Sequence, residues 1–217
     1  MSPVKPWRLA CALAVLALLP TARAQAHPHV FVTATEELLF GPDGRVTGVR
    51  HTWKFDDMYS AFMVQGLGPE AAILTREQLA PLARTNVESL TEFGYFTSLK
   101  ASGKAGEFGA PVDYWLEEGS DKLLTLHFTL PLKAPASAKT VLTLAVYDPT
   151  YFVAFSMADK DPVRLTAAPA GCSASLSKPK PLDATDNQKL SEAFFTNMSP
   201  GTDFGIKLAE RAIVACP

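Results

Sequence analysis

The chain has 217 residues, 47% of them hydrophobic and 19% charged, with a formal net charge of −2. That length can bury a sizeable core, so the fold should not depend on a metal or a dense disulfide framework. No basic patch stands out, which argues against nucleic acid as a partner.

Residues 1–26 have the pattern of a secretory signal peptide: a basic start at Lys5 and Arg8, an apolar run over 9–19, Pro20, and the small-residue cleavage motif Ala24-Gln25-Ala26. The run is shorter than the roughly 20 apolar residues a membrane helix needs. Cys11 lies too early for a lipid-attachment cysteine, and no later stretch could span a membrane. The expected product is a periplasmic domain over 27–217, with a break near residue 100 as the alternative organisation. Cleavage removes Lys5, Arg8 and Arg23 and no acidic residue, so the remainder is more acidic than the whole.

Residues 29–40 and 46–57 are rich in Val, Phe, Thr and Trp, and Gly41-Pro-Asp-Gly44 lies between them. This predicts a β-hairpin. With Phe40 opposite Arg45 or Val46, His29 should face Asp56 or Asp57, and His27 should fall beside Met58 or Tyr59. Opposed side chains on one face are about 5 Å apart at Cβ, close enough to share a ligand.

Residues 69–93 read as helical. Thr75-Arg-Glu-Gln78 is a capping box, and Leu79, Leu82, Val87, Leu90 and Phe93 recur at near-helical spacing. Pro81 predicts a kink or a later start, and Gly94 a stop. Strands follow over 95–99, 112–118, 122–132, 140–148 and 151–156. Gly119-Ser-Asp121 makes a turn between two of them, and Asp148-Pro149-Thr150 could make the last two neighbours. A loop over 167–181 precedes two short helices, over 186–195 and 204–215. The fold class is α+β and strand-rich: an antiparallel, sandwich-like sheet with a helical insertion and a helical C-terminal tail. Cys172 and Cys216, an even pair in an exported chain, predict one disulfide.

The chemistry-bearing candidates cluster early. Cleavage after Ala26 would give His27 a free α-amine beside its imidazole, and Pro28 stiffens the link to His29. Against a frayed terminus, the hairpin pairing brings both histidines to Asp56 and Asp57. Asp57 is also expected to cap a helix. His51 shares an apolar face with Val49, Trp53 and Phe55; it reads as a core histidine first and a ligand second. His127 alternates with threonines and reads as solvent-facing. Asp148 ends an apolar strand as a turn residue or a third carboxylate. Glu36-Glu37 and Glu117-Glu118 read as solvated positions, since adjacent strand residues point to opposite faces. Metalloprotease, nucleophile-elbow, P-loop and dinucleotide-binding motifs are absent, which makes a non-enzymatic role the first reading.

The leader followed by HPHVFV, then GRVTGVRHTWKFDDMYSAF, LTLHFTLPL, VYDPTYFVAF and GC, resembles a family of exported bacterial proteins of unknown function. Those proteins are commonly labelled the periplasmic component of an uncharacterised ABC-type transport system. Their genes often accompany nickel/cobalt-type metal transporters. The resemblance covers nearly the whole mature chain. It puts weight on His27, His29, Trp53, Phe55, Asp56, Tyr147, Asp148, Pro149 and Tyr151, and implies transport association and metal handling. The chain lacks the repeated strand-helix alternation of a two-lobed solute receptor.

The leading expectation is a periplasmic accessory that binds a divalent transition metal (zinc, nickel, cobalt or copper) and serves an inner-membrane metal transporter. His27 and His29 would be donors, Asp56 or Asp57 a donor or an orienting partner, and His51 and Asp148 reserves. The alternatives are a copper histidine-brace oxidase built on His27, and a metal-free protein-interaction module.

Overall fold

The computed structural model describes residues 28–69, 72–181 and 203–217. The proposed signal peptide, His27 and the first proposed tail helix lie outside the described residues.

Strand β1 (Val30–Phe40) explains the architecture by its alternation. Val30, Val32, Ala34, Glu36, Leu38 and Phe40 are buried, while the residues between them face outward. It pairs antiparallel with β2 (Val46–Phe55) across the Gly41–Gly44 turn, where the Gly41 N–H donates to Arg45 O at 2.8 Å. Two parallel partners share the other edge of β1. Its first half pairs with β8 (Val153–Met157) and its second with β9 (Val163–Thr166). Strands β6 (Leu124–Ala136) and β5 (Val112–Glu118) extend the sheet beyond β2, giving the order β5-β6-β2-β1-β8 with β9 also on β1.

Two different layers cover the inner face of this sheet. A second sheet covers one half, in the order β10 (Ser173–Ser177), β11 (Arg211–Ala215), β7 (Leu142–Val146), β3 (Thr97–Ala101), β4 (Lys104–Ala105). It packs Leu99, Leu142, Leu144 and Val214 against Leu38, Phe40, Val46 and Val49. Helices α1 (Asp57–Met63) and α2 (Arg76–Leu90) cover the other half. Leu79, Ala83 and Val87 of α2 meet Val32, Trp53, Leu116 and Leu126. This is the expected strand-rich α+β fold with a helical insertion, and α2 has the predicted capping box at Thr75.

Several local expectations are corrected. The hairpin register leaves the loop as predicted, with Phe40 opposite Val46, but a bulge shifts it by one residue, so Leu39 faces Gly48 and Val32 faces Phe55. Gly48 suits the crowded spot, because a Cβ there would sit 2.7 Å from Leu130 O. The helix runs through Pro81 rather than starting after it; Pro81 is exposed, and the missing N–H falls on the solvent side. Strands β7 and β8 are not neighbours but belong to different sheets, because the 148–152 turn swings the chain across to β1. The second tail helix is replaced by a short 3-10 turn (Gly205–Lys207) and β11. In Arg211–Ala215 the burial alternates every second residue, which the apparent helical spacing of Ile206, Ala209 and Ile213 conceals.

The disulfide Cys172–Cys216 forms as expected and closes the β10–β11 ladder, where Ser173 pairs with Ala215. A loop of 44 residues gives about 4 kcal/mol in the chain-entropy model.

Candidate functional site: an aromatic cleft beside His29

The helix-covered half of the sheet is incompletely filled. A cavity of about 440 Å³ opens there, between β1, β2, β8, the two helices and the 148–152 turn. Val32, Trp53 and Leu126 form its floor; Phe96, Phe152 and Phe155 wall it. The rings pack edge to face, with Trp53 and Phe155 centroids 4.9 Å apart.

Local sequence logic sets each edge. Asp56, not Asp57, is the N-cap of α1: its Oδ1 accepts the Tyr59 N–H at 2.8 Å and its Oδ2 accepts the Phe31 N–H at 2.6 Å. One carboxylate thus ties the start of α1 to the start of β1. Tyr59 then turns toward the cleft, and its hydroxyl donates to Asn86 Oδ1 of α2 at 3.3 Å. Burial, with Asp56 nearby, raises the Tyr59 pKa. On the opposite side Asp148 accepts from the Thr150 N–H and hydroxyl and from the Val153 N–H, which shapes the turn carrying Phe152 to the rim.

The same turn is clamped from behind. The Gly205 N–H donates to Pro149 O at 3.0 Å, and a Cβ on Gly205 would lie 1.8 Å from Asp148 O, so only glycine allows this approach. The Tyr147 hydroxyl donates to Asp203 Oδ2 at 2.9 Å, and burial together with that bond pushes the phenol up to about 12.

The predicted site residues separate. His29 lies at the rim: its N–H donates to Phe152 O at 2.9 Å and its ring packs on Phe152 at 4.7 Å. It does not face the aspartate pair, because Phe31 takes the position against Asp56 and the chain then turns into α1. Asp57 is exposed and accepts the Met58 N–H. His51 is fully buried away from this end, its Nδ1 2.5 Å from Glu36 Oε2. The two groups lie side by side in the core without an aligned hydrogen bond between these two atoms. Among the described residues no three His, Cys, Asp or Glu side chains converge as a metal-ligand group. His127 is half-buried on the outer face, stacked on Trp115 at 4.5 Å and 3.2 Å from Glu117. Burial lowers its pKa despite that carboxylate.

Glu36 is the residue that sequence reasoning misplaces. It is 1% exposed and accepts the Trp53 indole N–H at 3.1 Å besides contacting His51. Its even-numbered place among Val32, Ala34 and Leu38 is the available signal. The cleft residues Asn86 and Phe96 carry no motif, and only the tertiary packing brings them together with Phe93 and Phe155.

Fold and cleft together define a strand-rich α+β domain with an aromatic-walled cavity at one end of its main sheet. The chain belongs to the family described as "Protein of unknown function (DUF1007)", whose model matches residues 12–216. An uncharacterised protein of Haemophilus influenzae is similar, with 24% identity over 197 residues, covering 88% of this chain and 91% of that one. An uncharacterised 15.5 kDa protein in the trpE 3′ region of Spirochaeta aurantia is 30% identical over 95 residues, covering 44% of this chain and 67% of its own.

Proposed function

We propose that this is an exported accessory protein that binds a divalent transition metal at its amino-terminal end and serves a membrane metal transporter. The observation that carries the reading is that His29 is not on a frayed end. A backbone hydrogen bond to Phe152 and a ring contact hold it at the rim of the cleft. His27 stands two residues upstream in the sequence and is a second residue with an imidazole donor. Asp56 and Asp148 already accept backbone N–H groups and act by positioning the rim. Imidazole donors suit zinc, nickel, cobalt or copper.

The test is calorimetric titration of the exported protein with each ion. The double variant His27→Ala/His29→Ala should lose stoichiometric binding while keeping its metal-free melting temperature. Equal affinity in variant and wild type rejects the assignment. A metal-free interaction module is the second reading, favoured by Met58 and Phe62, which lie four apart on α1 and are 76% and 70% exposed. It predicts that no ion raises the melting temperature.

A further inference from the structure

We propose that the aromatic cleft is a binding site for a small, planar, uncharged and largely apolar molecule, taken up with its polar edge at Asn86. This inference does not depend on the metal reading. The volume of about 440 Å³ falls within the roughly 300–1,000 Å³ of small-molecule sites. Its floor is closed by the sheet, with Val32, Trp53 and Leu126 each 1% exposed. A helix or an extended peptide needs an open trough, whereas a floored recess between two elements takes a compact guest. The walls supply ring faces and edges from Trp53, Phe96, Phe152 and Phe155, which favours a flat guest over a branched one.

The charge pattern narrows the class. Among the described residues Asp148 is the one carboxylate in the wall, and its oxygens already accept three hydrogen bonds from Thr150 and Val153. It therefore makes no strong demand for a cation. No lysine or arginine among the described residues lines the cleft to favour an anion. Asn86 accepts from Tyr59 and donates to Leu82 O at 2.9 Å, which leaves its amide one further donor and one acceptor lone pair for a hydroxyl or carbonyl on the guest. Phe93 and Phe152 are large rings in contact with water at the rim, and a guest between them would cover apolar surface.

The probe is N-phenyl-1-naphthylamine, a flat uncharged diaryl amine whose emission rises on leaving water. Added to the exported protein, it should give saturable one-to-one uptake. Ser89→Phe places a ring at the mouth from an exposed helix position and should weaken uptake at least tenfold. Phe62→Ser, on the exposed apolar face of α1 outside the cleft, should leave it unchanged. Both variants are checked first for a wild-type melting temperature. Absence of saturable uptake by the folded protein overturns the proposal, and so does uptake that survives Ser89→Phe, whatever Phe62→Ser does to it.

Discussion

The two halves of the main sheet are built from the same strands and covered by different materials. Under the second sheet, aliphatic side chains such as Leu38, Val46, Leu142 and Leu144 interdigitate, and the disulfide closes the far edge. Under the helices, aromatic side chains predominate around a cavity that the packing leaves open. Sheets pack face to face through short branched side chains at regular spacing. One helix of 7 residues, one of 15 and a turn of unlike direction do not tile a pleated surface so evenly, and large rings line the remainder. Glu36 and His51 sit at the seam, flanked by Ala34 and Trp53 on one side and Leu38 and Val49 on the other. One half is thus filled by side chains and the other is left partly open.

The largest expected effect tests the seam. Glu36→Ala leaves His51 buried without its partner and removes the acceptor of the Trp53 indole. Breaking such a pair costs about 3–5 kcal/mol, read as a lower denaturation midpoint in urea. The double change Glu36→Leu/His51→Leu should recover most of that loss; if it does not, the pair is more than a seam filler.

A smaller pair of substitutions tests the comparison directly through opposite signs. Val46→Ile adds a methylene to the filled half and should cost about 1–3 kcal/mol. Val32→Ile adds the same methylene to the cavity floor and should stabilise by about 0.5–2 kcal/mol. Loss of stability in both variants would mean that the two halves are equally full.

The smallest effect concerns the clamp behind the cleft. Tyr147, with its phenol pushed up to about 12 by burial and by Asp203, stays protonated in the folded state when an unfolded tyrosine near 10 has already ionised. The folded state then binds more protons than the unfolded one, so stability falls as pH rises through that window and is fully present below about pH 10. Tyr147→Phe should flatten this alkaline decline in urea midpoints measured from about pH 9 to 12.

Much of the fold is legible in the sequence because it depends on neighbours along the chain. The Gly41–Gly44 turn, the alternation along β1, the capping box at Thr75 and the pairing of Cys172 with Cys216 each follow from local chemistry or from elimination. The one-residue bulge near Gly48 is not legible, because the backbone of β6 on the far side of β2 sets it. That single residue moves His29 away from the aspartates. The weight on Asp56 is legible but its role is not, since it fastens the start of β1 to α1 instead of facing a histidine.

By itself the sequence determined the strand-rich α+β class, the helical insertion, the disulfide and the concentration of polar motifs around the two ends of the first hairpin. Period-two burial, turn residues and caps act over a few positions, so they can be read from the chain. The tertiary structure alone decided that β7 and β8 part into different sheets, that Glu36 and His51 are enclosed together, and that rings scattered from Trp53 to Phe155 enclose one cleft. Those outcomes rest on which faces meet across the core, and packing between distant segments fixes that through the volume they must jointly fill.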